Sequence, residues 1–379
     1  MRHYLDHAST SPPRPEVRAA LARWLDGPSG DPGRLHEEGR MVRAALETSR
    51  EEVAGLLGVS PREVVFTSGA TEAVNAAVFG ATRARPGAPV VLASVEHSAV
   101  RQASERLAPV VRLPVDRHGT VDPGSLDEVL VAGTGPALVH CQWANHEVGT
   151  LQPVAEIVAR CRSAGVLVHV DAAMACGHLD LALGDLGADL VSVSAHKFGG
   201  PPGVGALVVR RGLRLDPLIV GGDQERARRA GLENVAGIVG FGAACAALTA
   251  DGGRRRRDEE AAARHWTGTL LAAATAVEGV ALVGPPDPDR RVPHLVCLGV
   301  DGVEAEPVVL GLDAAGLAVH SGSACSSEAL EPSPVLEAMG VEANRSLRLS
   351  VGWSTTDEDV AAFGGAFGPV VAGLRALRG

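Results

Sequence analysis

Lysine is almost missing from this sequence: of 35 basic side chains, 34 are arginine and one is lysine, at position 197. Arginine keeps its proton in any protein whereas a lysine amine can lose it, so amine chemistry has a single candidate site. Coding bias in an Ala-, Gly- and Arg-rich chain accounts for the missing lysines but not for the one that remains. A basic face interleaved with aromatics is also lacking; with 45 acidic residues and a net charge of −10, a nucleic-acid partner is excluded. The one basic run, the arginines at 254–257, is followed at once by Asp258, Glu259 and Glu260 and reads as a solvated helix start. No C-x-x-C occurs among the six cysteines, and no two lie closer than 15 positions, which argues against a zinc site, a redox dithiol and a disulfide framework. The opening MRHYLDHAST has no apolar leader. Glycines and a proline interrupt the longest uncharged stretches, 129–146 and 235–250, short of the roughly 20 residues of a membrane span. A cytoplasmic protein with no membrane contact is expected.

What is present is ample apolar material, 46% of 379 residues, enough for one large domain or two ordinary ones. Short Val-rich runs at 63–67, 89–93, 110–113, 137–141, 166–170, 190–193 and 204–209 read as strands. Amphipathic stretches at 35–57, 72–81, 99–107 and 154–164 read as helices. Seven near-continuous apolar strands between helices imply an α/β fold with a mostly parallel sheet covered on both faces. Beyond about residue 250 the rhythm changes. A long helix to 277, strands at 292–299, 318–320 and 347–351, a helix at 304–315 and a terminal helix from 357 make an α+β pattern. The expected division is a large domain of residues 15–255 and a smaller one of residues 1–14 and 256–379.

In such a sheet, ligands collect at the carboxyl ends of strands, near helix N-termini. Four strand ends here carry unusual chemistry. Ser68-Gly69-Ala70-Thr71-Glu72 is a small-residue turn opening a helix, suited either to a phosphate or to plain capping. Asp171 is a carboxylate between an apolar strand and Ala172-Ala173-Met174, where a salt bridge or a protonated ring nitrogen would partner it. Lys197, after Ser194-Ala195-His196, precedes a Gly/Pro loop that admits a ligand, and a buried lysine can form a Schiff base with an aldehyde. His97 stands near a helix start as either a cap or a ring stacker. Together the four supply what pyridoxal phosphate requires: phosphate cup, ring stacker, carboxylate for the pyridine nitrogen, and amine.

The segments YLDHAST, FTSGATEAVN, VEHSAV, ANHEVGTLQPV, HVDAAMACG, VSVSAHKFGGPPGVGAL, GGDQERARRAGLEN, HSGSACSSEALEPSPVL and LRLSVG occur in this order along the chain. In order and spacing they resemble the cysteine desulfurases of the class V, fold-type I pyridoxal phosphate enzymes over nearly the whole length. The SGSAC loop is similar to the subgroup serving iron–sulfur assembly and tRNA thiolation. The resemblance implies Lys197 as the Schiff-base lysine, Asp171 as the pyridinium partner and His97 as the catalytic ring stacker. It implies cofactor contacts at Ala70, Thr71, Ser194 and His196, with Arg348 and Asn145 on the substrate. Cys325, in a loop with Gly322, Ser323 and Ala324, matches the nucleophile that takes the sulfur of L-cysteine as a persulfide and releases L-alanine. A sulfur-acceptor protein and a homodimer are implied as well. Other class V activities, such as a selenocysteine or cysteine-derivative lyase or an aminotransferase, remain open, as does a weakly active sulfur-relay scaffold.

Three positions depart from the family pattern. His146 stands where an Asn normally contacts the cofactor's phenolic oxygen, and Met174 where a Gln donates a hydrogen bond to it. Leu232 replaces a Thr that reaches the phosphate held by the other subunit. An imidazole can donate one hydrogen bond, but a thioether cannot. Weaker cofactor affinity, altered cofactor absorbance and a specialised pathway are therefore expected.

Overall fold

A computed structural model describes residues 2–27, 29–133, 135–321 and 332–377. The seven expected strands form one sheet: β1 (Val64–Thr67), β2 (Val90–Ala93), β3 (Val110–Leu113), β4 (Leu138–Gln142), β5 (Val168–Asp171), β6 (Leu190–Ser194) and β7 (Gly205–Val209). Their order is β1-β7-β6-β5-β4-β2-β3, and only β7 runs antiparallel to its neighbours. Successive side chains point to opposite faces. Val90 and Leu92 therefore join one apolar cluster with Ala73, Val74 and Ala77, while Val91 and Ala93 join another with Val139, Val170 and Phe241. Both faces are covered by helices. Two of these, α1 (Ala70–Ala84) and α2 (Ser98–Leu107), start at the carboxyl ends of β1 and β2.

A second sheet is antiparallel: β8 (Val280–Val283), β9 (Leu295–Val300), β10 (His320–Ser321) and β11 (Ser346–Ser350), ordered β10-β11-β9-β8. It buries Val296, Leu298, Leu347 and Leu349 against Phe363 and Phe367 of the terminal helix. One helix, α3 (Val235–Thr275), joins the two bodies of core. Its N-terminal half buries Ile238, Phe241 and Leu248 with the large sheet, and its C-terminal half buries Leu270 and Ala274 with the small one. Between them the helix breaks at Ala250–Gly253, where Asp251, Gly252 and Gly253 have φ of 52°, 64° and 76°. By length and composition α3 alone among the described residues passes for a membrane span, yet half of its most apolar window is buried inside the protein.

Three local expectations are corrected. The strand expected at 318–320 is two short pieces: Leu317–Ala318 pairs with His3–Tyr4, and His320–Ser321 pairs with β11. The strand expected from 292 begins at Leu295, since Pro293 offers no N–H to a ladder. Of the arginines at 254–257, Arg256 is not solvated: it is 8% exposed and donates to Asp180 Oδ2 at 2.9 Å.

Candidate active site

The carboxyl ends of β1, β2, β4, β5 and β6 surround a cavity of about 460 Å³, closed from the small-sheet side by Arg348 of β11 and from the N-terminus by Ala8 and Ser9. Its lining includes Ala70, Thr71, His97, His146, Asp171, Met174, Ser194, His196, Lys197 and Arg348. Residues more than 270 positions apart in sequence thus meet here. Asn145 is a correction, because it is fully buried and absent from this lining. Its Nδ2 donates to Val95 O at 3.1 Å, and its Oδ1 accepts from Glu147 N and Val148 N at 2.9 Å, so the amide is spent on its own turn and on the loop after β2. Cys325 lies outside the described residues.

Asp171 ends β5, where the last residue of a parallel strand projects past the ladder. Its Oδ1 accepts from Ala173 N at 3.0 Å and Ser192 Oγ at 3.1 Å. Both bonds use Oδ1, and the residue lines the cavity. Lys197 sits on the tight turn Ala195–Phe198 that follows β6, and its Nζ donates to Ala8 O at 2.7 Å and Ser9 O at 3.1 Å. Behind it, His178 Nε2 donates to the Lys197 carbonyl at 3.2 Å and stacks on His294 at 3.7 Å between ring centroids. Burial holds His178 and His7 down at about 4 and His294 well below its ordinary value, so this backing is uncharged.

Gly69, with φ of 148°, turns the chain into α1, whose first residues Ala70 and Thr71 line the cavity. A helix start has unpaired N–H groups and the positive end of the dipole, which suits a phosphate. His97 is the N-cap of α2: its Nδ1 accepts from Ala99 N at 3.1 Å, so the cap expected from the sequence and a place on the cavity wall coexist. Its ring meets His146 edge to face, with centroids 4.9 Å apart. His196 Nδ1 bonds Thr10 Oγ1, and burial followed by the Lys197 charge lowers it to about 4.

Arg348 is buried, unlike an edge-strand arginine. Its Nη1 donates to His146 O at 2.9 Å and its Nη2 to Asp6 Oδ1 at 3.0 Å and Ser9 Oγ at 2.6 Å. Sequence reasoning missed three groups. Glu96 is fully buried, and burial with the nearby Asp171 charge pushes it up to about 8. Gln142 lines the cavity while its backbone N donates to Glu96. Glu147 backs His146. A carboxylic residue directly beside a motif histidine, Glu96 before His97 and Glu147 after His146, was the available signal. Met174 is 5% exposed and presents a thioether where the expected Gln would donate. Leu232 is 64% exposed and lies outside this cavity. Of the cysteines described, all five are buried, and burial raises Cys161, Cys176 and Cys297 to about 12 and Cys141 and Cys245 well above the ordinary value. They behave as small apolar residues.

The model of the Aminotransferase class-V family matches residues 3–363. The chain is 40% identical over 366 residues to "Cysteine desulfurase IscS" of Dictyoglomus turgidum, covering 94% of this chain and 91% of the relative. To the protein of the same name from Methanosarcina thermophila it is 38% identical, covering 94% and 89%. Among solved structures it superposes on a "NifS-like protein" from Rickettsia africae with a TM-score of 0.89 at 27% identity, covering 98% of this chain and all of that one. "SspA in complex with cysteine" gives a TM-score of 0.81 at 26% identity, covering 93% and 100%.

Proposed function

We infer the working of this cavity from one premise: the chain belongs to the Aminotransferase class-V family and, within it, is a cysteine desulfurase. The family depends on pyridoxal phosphate, and the residues present fit that group. The observation that carries the reading is that the only lysine of the chain shares a cavity with a strand-end carboxylate and a small-residue helix start. The N-terminus of α1 with Thr71, Ser194 and His196 would hold the phosphate, and Asp171 would keep the ring nitrogen protonated. His97 and Met174 would bound the ring, and His146 would donate to its phenolic oxygen. When bound, the cofactor supplies the electron sink for the substrate's Cα–H bond.

The protein supplies the rest. Lys197 would hold the cofactor's aldehyde carbon and would move the proton at the substrate Cα. Arg348 binds the amino-acid carboxylate, and its bonds to Asp6 and Ser9 fix the guanidinium plane. The thiolate of Cys325 attacks the sulfur of L-cysteine: the S–S bond forms as the substrate's C–S bond breaks, leaving a persulfide on Cys325 and, after protonation, L-alanine. A sulfur-acceptor protein of a thio-modification or iron–sulfur pathway removes that sulfur.

The two apolar cores and the break in α3 support a large domain of residues 15–255 and a small one of residues 1–14 and 256–379. Exposed Leu218, Ile219, Val220 and Leu232 support a homodimer that covers them. We place the enzyme in the cytoplasm. The test is incubation with L-cysteine, measuring alanine and the mass of the Cys325 peptide. Alanine release with a sulfur adduct, both lost in Cys325→Ala, is expected; release that survives Cys325→Ala would assign a lyase instead.

A further inference from the structure

The carbonyls of His196, Lys197, Phe198 and Gly199, on the Lys197 turn and its cap, each accept from a donor outside the turn. Ser11 N donates to His196 O at 2.9 Å, His178 Nε2 to Lys197 O at 3.2 Å, Arg14 Nε to Phe198 O at 2.7 Å and Arg14 N to Gly199 O at 2.9 Å. All but the His178 bond come from the segment 11–14, and the Lys197 amine donates to Ala8 O and Ser9 O just before it. This stretch of the N-terminus is therefore the bed on which the lysine turn rests. Arg14 fixes the bed in its turn. It is 1% exposed, and its two Nη groups fork onto the Glu259 carboxylate at 2.6 and 2.7 Å. Glu259 lies beyond the break in α3, on the half that packs with the small sheet. Trp353, just past β11, closes the other side: the guanidinium carbon is 5.8 Å from its ring centroid, and its Nε1 donates to Pro12 O at 2.8 Å. The fit is tight. At Gly199, with φ of 88°, a Cβ would stand 2.7 Å from Arg14 Cγ and 2.8 Å from Trp353 Nε1.

We propose that Arg14 is a positioning residue for Lys197: through Phe198 O on one side and Glu259 on the other, it ties the lysine turn to the small-sheet body, which also brings Arg348 to the cavity. The consequence for turnover rests on the desulfurase reading; the effect on the amine does not. A guanidinium suits this task because one rigid plane serves three acceptor oxygens at once. Joining the two bodies needs only the fork from the Nη groups to Glu259. The Nε bond carries the constraint onward to the turn. Lys197 and Arg348 must act on the same amino acid, and a displacement of one against the other by about 1 Å costs up to about a hundredfold in rate.

Because the chain has one lysine, an amine reagent reads this position and, besides it, only the chain's own amino terminus. The full chain freed of pyridoxal phosphate is acetylated with limiting acetic anhydride, and mass spectrometry of the digest gives the labelling rate of Lys197 relative to the terminal amine. Arg14→Met keeps an unbranched side chain and removes the guanidinium donors; it should label Lys197 about threefold faster. Glu259→Gln leaves the Nε bond in place and should give a smaller rise. Leu270→Ala, in the small-sheet core, is the control for general loosening: it should lower the thermal midpoint and leave the labelling rate unchanged. In the protein loaded with pyridoxal phosphate, the visible circular dichroism should weaken in the order Glu259→Gln, then Arg14→Met. The turnover number kcat should fall about tenfold in Arg14→Met with KM for L-cysteine within about twofold, since Arg348 keeps Asp6 and the His146 carbonyl. Equal labelling in the parent and Arg14→Met, or an equal rise in Leu270→Ala, would overturn the proposal. If Arg14→Met does not fold, Glu259→Gln against Leu270→Ala decides by the same criterion. Labelling that changes as expected in protein that releases no alanine removes the desulfurase reading and keeps the positioning role. Alanine release at the parent's kcat and labelling rate in every variant does the reverse.

Discussion

The two walls of the cavity are built differently. On one, Asp171, Ser194 and Lys197 sit at or just past the ends of β5 and β6, and the bonds of Asp171 and Lys197 run to backbone or to Ser192 of the neighbouring strand. On the other, His146 and Met174 face the cavity from loops, and there the chain departs from its family. A side chain at a strand end is aimed by the ladder, so replacing it forfeits a position that nothing else fills. A loop side chain is one of several that reach the same point, so a donor lost at Met174 can be supplied by a neighbour such as His146. The residues expected from the resemblance are therefore present where the sheet does the aiming, and the two cavity positions that differ from that expectation, His146 and Met174, lie on loops.

The sharpest way to break this contrast is at Lys197. Arg at this position keeps the positive charge and can still reach the Ala8 and Ser9 carbonyls, but a guanidinium cannot form the covalent link to an aldehyde. Lys197→Arg should abolish both the visible absorbance of the loaded protein and alanine release. Residual turnover above background would show that the strand-end wall is as replaceable as the other.

Acid should act next, and on the same wall. His7 and His178, behind Lys197, and His169 in the sheet are held at about 4 against 6.5 in an unfolded chain. A histidine whose folded value is depressed stabilises fully above 6.5. That contribution drains away as the pH falls toward 4, because the unfolded chain takes up the proton first. His294 and His140 add to the loss, both well below their ordinary value through burial. The loss for each histidine amounts to about 1.4 kcal/mol per pH unit across that window. Denaturant midpoints should therefore fall steeply between pH 6.5 and 4. His178→Gln can still donate to the Lys197 carbonyl and should flatten the slope; an unchanged slope would remove His178 from the cause.

The strand-end wall was legible from sequence because alternation locates strands and parallel sheets put chemistry at their carboxyl ends. Lys197, Asp171, Ser194 and the Ala70–Thr71 turn all line the cavity as expected. The loop wall was less legible. Asn145 reads as a substrate contact from its motif, yet its amide closes a turn, which depends on the backbone of Glu147 and Val148 and not on residue type. Glu96 and Glu147 flank motif histidines, and only the fold shows that both carboxyl groups are buried. The extension of α3 across both cores was hidden by Gly252 and Gly253, which read as the opening of a helix and are a kink inside one.

On the loop wall the expected effects are smaller and opposite in sign. Met174→Gln provides the amide donor that the thioether lacks, at a buried position of similar length. One hydrogen bond to a charged oxygen stabilises by about 1.5 kcal/mol, so pyridoxal phosphate should be retained about tenfold more tightly on dialysis. No gain would mean that His146 already satisfies that oxygen. In that case His146→Asn and Met174→Gln should be non-additive, and the double variant separates the two explanations.

Leu232 gives the smallest effect and the most specific one. It is 64% exposed and outside the cavity of its own subunit, so Leu232→Thr should change the stability of an isolated subunit by no more than about 0.5 kcal/mol. On the proposed dimer reading, a gain in cofactor retention comes from a hydroxyl reaching the phosphate of a second subunit. Such a gain depends on assembly and should fade on dilution below the dimer dissociation constant, whereas a gain made within one chain is independent of concentration. Cofactor retention of Leu232→Thr and the parent, compared over a dilution series with the mass followed by light scattering, distinguishes the two. A concentration-dependent gain of a few-fold is expected. A constant difference would place the loop carrying Leu232 at its own subunit's site and leave exposed Leu218, Ile219 and Val220 as the remaining support for the dimer.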